Sequence, residues 1–272
     1  MKYILTKMLI LTSIMLNAQQ NYINPKGTTI DSRIETPNGY SRIEEDQSSY
    51  TQYLRNLPLK SNGAQVEYFD GSFKENYNVY VAVIDQEIGN RDLHQCADAI
   101  MRLRADYLWQ SGRYNEIHFN FTNGWRVDYS KWMNGNRIRV RGNKTSWVHS
   151  TSPSNSYNTY WKYMQMIFAY AGSLSLSGEL VSVDINDMKI GDVFIQGGTP
   201  GHAVIIVDMA INKNTNEKVF LLAQSYMPAQ QTQILTNPNN EGLSPWYYLN
   251  DINSELITPE YYFSSDQLMR FD

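Results

Sequence analysis

Apolar residues recur at Leu93, Cys96, Ile100, Leu103 and Tyr107, the three-and-four spacing of one helix face. Asp92 precedes them as an N-cap, Gln95 stands at the third helical position in a capping-box pattern, and Gly112 closes the stretch. A helix is predicted there, with Cys96 about one turn inside its start. A second helical period runs through Tyr160, Tyr163, Ile167, Phe168 and Tyr170 to Gly172.

Elsewhere the pattern is that of strands. Gln65-Val66-Glu67-Tyr68-Phe69, the turn Asp70-Gly71 and the apolar run Val79 to Ile84 predict a hairpin leading into the cysteine helix. Residues Glu116 to Trp147 read as short strands and turns, and three longer strands follow at Asp192 to Ile195, His202 to Ala210 and Lys218 to Gln224. A helix followed by an antiparallel meander indicates an α+β domain, taken as one unit over residues 50–272. The aromatic clusters Trp246-Tyr247-Tyr248 and Tyr261-Tyr262-Phe263 are expected to close over it.

The start of the chain is different. Lys2 and Lys7, the apolar run Met8 to Leu16 and then Asn17-Ala18 have the order of a secretory signal peptide, expected over residues 1–18. Residues 19–49, polar and punctuated by Pro25, Gly27, Pro37 and Gly39, are expected to form a loosely structured lead-in. The mature protein is therefore expected in the periplasm or outside the cell, with no membrane span.

Composition narrows the chemistry. A net charge of -4, mixed in sign over 272 residues, gives no basic footprint for nucleic acid. One cysteine allows no internal disulfide, so in an exported chain the thiol is either a buried core residue or reactive. No CxxC or HxxxH spacing suggests a metal, and no cofactor is expected. His94, His118 and His149 read as surface or hydrogen-bonded residues.

A thiol near a helix N-terminus lies in the positive end of the helix dipole, which favours thiolate, and an imidazolium beside it would favour thiolate further. His202 opens a strand behind the turn Gly197-Gly198-Thr199-Pro200-Gly201, whose glycines could let a peptide lie against the backbone. A third group should orient the imidazole. If the next strand pairs as a hairpin, Gln224 comes alongside His202, whereas Asp208, the weaker choice, lies roughly 20 Å along the same strand. The Cys96 amide, with Asn90, His94 or Gln95, could supply oxyanion donors.

A helix-borne Cys96, Gly191-Asp192 before an apolar strand and Gly201-His202 opening the next resemble the papain-like cell-wall amidases and endopeptidases of the NlpC and CHAP type. The resemblance implies a papain-like cysteine hydrolase core with catalytic Cys96, His202 and a polar third residue where Gln224 stands. Residues Glu116 to Glu179 would then be a large insertion between Cys and His. Peptide or peptidoglycan-derived material would be the substrate. The chain as a whole also resembles an uncharacterised family of exported bacterial proteins. A transglutaminase-like acyl transferase and an inactive binding module on the same scaffold are the alternatives.

Overall fold

A computed structural model describes residues 22–44, 46, 47 and 49–272. The expected leader and the first residues of the lead-in lie outside the described residues. In chain order the elements are α1 (Ile30–Arg33), β1 (Tyr40–Arg42), α2 (Tyr50–Arg55), β2 (Tyr80–Val83), α3 (Cys96–Gln110), β3 (His118–Asn120), β4 (Arg126–Asp128), α4 (Tyr129–Met133), β5 (Asn136–Arg141) and β6 (Lys144–His149). They continue as α5 (Tyr157–Tyr170), α6 (Ser173–Ser177), β7 (Val181–Ser182), β8 (Val193–Gln196), β9 (His202–Asn212), β10 (Lys218–Gln224), β11 (Gln233–Leu235), β12 (Tyr247–Tyr248), β13 (Glu255–Ile257), β14 (Tyr262–Ser264) and β15 (Leu268–Arg270). Short 3-10 turns join several of them.

The fold is α+β, built on a large antiparallel sheet of order β2-β11-β10-β9-β8-β15-β7, with β1 on β9 and β12 on β10. β9 lies at its centre because His202 to Ala210 is buried on both faces, as a nearly unbroken apolar run demands. α3 and α2 both pack against β9. The C-terminal strand β15 is clamped by Arg270, which grips Asp192 through Nε and Nη2 at 2.6 and 2.8 Å.

Two expectations change. Val66 to Phe69 makes only isolated bridges, and β2 pairs with β11 rather than with that segment. The predicted hairpin therefore does not form. Its apolar side chains are matched by the strand after β10, a partner about 150 positions away that no local pattern reveals. Nor is the lead-in loose from residue 22 onward. Tyr22, Ile30 and Ile34 are buried in the core, and β1 pairs with β9. Three apolar residues in a polar stretch show no period, yet each finds a slot on the sheet.

Between α3 and β8 the chain builds the hairpins β3–β4 and β5–β6, separate from the main sheet. An aromatic cluster binds this region to α5: Tyr129 lies 5.1 Å from Tyr163 and 5.7 Å from Tyr160, ring to ring. Among the described residues no helix is long and apolar enough to cross a membrane.

Candidate active site

α3 begins one turn later than the capping pattern suggests. Gln95 is the N-cap, its amide donating to Asp98 Oδ2 at 3.1 Å, and Cys96 is the first helical residue. Asp92 instead accepts from the Gln95 side chain and from the Ala229 amide, at 3.0 and 2.7 Å. Ser225 Oγ lies 3.0 Å from the His94 carbonyl and 2.8 Å from the Gln230 carbonyl, so its single O–H is shared between them. These bonds staple the 225–230 loop to the residues just before the helix and hold Tyr226 over the site.

The sulfur of Cys96 lies beside the backbone amides of Ala97 and of Ala203, the residue after His202, whose N–H dipoles favour its ionised form. The mouth of the helix and the first residues of β9 are thus in contact. Among the described residues no hydrogen bond joins the sulfur directly to the imidazole. His202 Nε2 instead faces Gln224 Oε1 at 2.8 Å. A bulge makes that pairing possible. Leu221 is opposite Asp208 but Leu222 is opposite Ile206, so the register slips by one residue. Continued by two residues, it sets Gln224 opposite Val204, which shares a face with His202; without the slip Gln224 would point away.

The pair is enclosed. Cys96 is 8% and His202 2% exposed, and the His202 ring lies 4.6 Å from Tyr226, 5.0 Å from Tyr261 and 5.9 Å from Phe263. Burial sets the protonation states. Desolvation, reinforced by Asp98, pushes the Cys96 thiol up to about 11, opposed by the nearby backbone amides. Desolvation likewise pulls His202 down to about 4, with Gln224 opposing and Lys74 adding to the fall. The thiolate expected from the helix dipole is therefore not the resting state. The site holds a neutral thiol and a neutral imidazole, because loss of water outweighs a dipole worth about 1 kcal/mol.

Other sequence candidates are placed elsewhere. Asp208 is fully buried and held by Arg42 and Arg55, each Nε at 2.6 Å, with no bond to His202. It is an ion-paired core group. His94 is buried with Nδ1 3.3 Å from the Gln230 carbonyl and its ring edge-on to Phe168. Gln95 is turned to Asp92, and Asn90 is exposed. Of the oxyanion candidates, only the Cys96 amide is at the sulfur. Two glycines of the turn before His202 answer to packing rather than to a substrate trough. A Cβ on Gly197 would meet Ser177 Oγ at 2.3 Å, and one on Gly201 would meet Ser173 Oγ and the Gly198 carbonyl at 2.4 Å.

Sequence reasoning missed Lys74, Tyr226 and Glu260, and it placed Tyr261 only in a cluster closing over the domain, not at the site. Gln224 Nε2 donates to Glu260 Oε2 at 2.7 Å, and Lys74 Nζ donates to the same oxygen at 2.7 Å. The presence of Tyr226 two residues past Gln224 and the Tyr261-Tyr262-Phe263 cluster were the available signals. A cavity of about 770 Å³ lies elsewhere, between α2 and the later turns of α3 around Tyr53, Arg102, Asp106 and Trp109.

The family model described as Domain of unknown function (4846) matches residues 30–270. No curated protein and no solved structure matches the chain.

Proposed function

The chain belongs to that family, and from its own side chains we propose that it is an exported cysteine-dependent hydrolase of amide bonds on a papain-like core, acting on peptide or peptidoglycan-derived material. The observation that carries the reading is the orientation of His202. Its Nε2 is occupied by Gln224 Oε1, which leaves Nδ1 as the nitrogen able to take a proton. The Ala203 amide meanwhile lies beside the Cys96 sulfur, and α3 packs against β9.

In the proposed cycle, substrate displaces the tyrosine cover and the thiol proton passes to His202 Nδ1 as Sγ attacks the carbonyl carbon. The imidazolium returns that proton to the leaving amine as the C–N bond breaks. Water, deprotonated by the same nitrogen, then hydrolyses the thioester. Because thiol and imidazole are both neutral at rest, proton transfer belongs to the attack step rather than preceding it.

The test is a mass-spectrometric screen of muropeptides and short peptides with the parent protein and with Cys96→Ala and His202→Ala. Amide cleavage and a trapped acyl group on Cys96, both lost in Cys96→Ala, are expected. Cleavage that persists in Cys96→Ala, or no turnover and no Cys96 adduct across the panel, overturns the reading. An amine-containing product would assign acyl transfer instead of hydrolysis. The burial of the pair under Tyr226 and Tyr261 favours a second reading, an inactive scaffold that binds peptide. Cell-wall binding undiminished by Cys96→Ala, with no turnover, would select it.

A further inference from the structure

We propose that Glu260 and Lys74 are positioning residues that hold the imidazole of His202 in one tautomer by fixing the side-chain amide of Gln224. The proposal rests on the reading of Cys96 and His202 as a catalytic pair. A glutamine beside a histidine is ambiguous, since the amide can present oxygen or nitrogen. Were nitrogen presented, His202 Nε2 would have to accept and the proton would move to Nδ1, the nitrogen needed to receive the thiol proton.

Glu260 removes the ambiguity. Its carboxylate oxygen Oε2 lies 2.7 Å from Gln224 Nε2, and a carboxylate accepts but cannot donate. The amide nitrogen must face Glu260, so the oxygen faces His202 and Nε2 carries the proton. Lys74 holds Glu260 in turn, its side chain 4% exposed and its Nζ 2.7 Å from Oε2. The second Lys74 bond, 3.1 Å to Gln230 Oε1, is fixed by Gln233 Nε2 donating to that same oxygen at 3.3 Å and by Gln230 Nε2 donating to the Pro228 carbonyl. From His202 to the Pro228 carbonyl every donor and acceptor in this run has one orientation. Lys74 and Glu260 are 186 positions apart, and they fasten the loop carrying Tyr261 to the side of the site that bears Tyr226.

The experiment uses the whole mature protein with 15N-labelled histidine, comparing the parent with Glu260→Gln and Lys74→Met. Long-range 1H–15N correlation spectra near pH 7.5 report which nitrogen of His202 is protonated. The parent is expected to show Nε2–H alone, and Glu260→Gln, whose amide can donate as well as accept, a mixture with Nδ1–H. Lys74→Met is expected to shift the balance in the same direction while retaining the parent circular dichroism. If Cys96-dependent cleavage is found, kcat should fall about tenfold or more in Glu260→Gln with KM within about twofold, because the Nδ1–H tautomer lacks the base that takes the thiol proton. An Nδ1–H parent, or a tautomer unchanged in both variants, overturns the proposal. The tautomer is read with or without turnover, so failure of the hydrolase reading would show separately, as absence of Cys96-dependent cleavage with the tautomer shift intact.

Discussion

Gln224 at the end of β10 and His202 at the start of β9 meet at 2.8 Å because the strand between Leu221 and Leu222 slips its register by one residue. The contact is made by a fault in the ladder, and the orientation of the imidazole depends on it. Four expected outcomes follow from the packing around this pair and from the groups beside it.

The Cys96 thiol, pushed up to about 11 by burial and by Asp98, should react slowly in the native state. Iodoacetamide is expected to modify it more slowly than free cysteine near pH 8, with a rate that climbs through about pH 10 and becomes fast in urea. A rate that levels off near pH 6 to 7 would instead reveal a preformed thiolate–imidazolium pair.

Replacement of Arg55 by Met should destabilise the fold by about 3–5 kcal/mol, because Asp208 is fully buried and loses one of its two guanidinium partners. The shift is read as the urea midpoint. The His202 tautomer should be unaffected, whereas a changed tautomer would return Asp208 to the role of orienting group.

Gly201→Ala places a methyl group 2.4 Å from Ser173 Oγ and from the Gly198 carbonyl. Backbone cannot yield cheaply, so a loss of about 1–3 kcal/mol is expected. Being next to His202, the same change should broaden or split the His202 ring signals. Parent-like stability and spectra would show that the turn has slack.

His94 is held down to about 3 by burial and by Arg102, below the 6.5 of the free side chain. The unfolded chain therefore takes up this proton first. The contribution to stability is complete above about pH 6.5 and is lost as pH falls towards 3. His202, at about 4, acts in the same sense, while Asp98 and Asp106, raised by burial, act in the opposite one. Comparing His94→Gln with the parent isolates the contribution of His94: the drop in urea midpoint between pH 7 and pH 5 should be smaller in the variant. An equal drop in both would contradict a neutral buried His94.

Much of the architecture is visible in the linear pattern. The helix through Ile100, Leu103 and Tyr107, the helix through Tyr163 and Ile167, and the strands at Val193, His202 and Lys218 all occur where periodicity puts them. Gln224 as the neighbour of His202 follows from counting residues along two strands, although the register slip that brings it to the right face does not. The segment from Val66 to Phe69 misled because alternation signals a strand but not its partner. Asp92 misled because its carboxylate serves a distant loop as readily as a helix end.

The sequence alone determined that one thiol lies near the start of a helix, that one histidine opens a buried strand and that the domain is α+β. These are properties of neighbours in the chain, set by side-chain size, polarity and repeat distance within a few residues. Only the tertiary structure decided that Lys74, Tyr226, Glu260 and Tyr261 surround the pair, that Asp208 belongs to two arginines, and that both thiol and imidazole rest uncharged. Partners brought from nearly two hundred positions away leave no periodic trace, and the charge of a buried group depends on how much water packing removes.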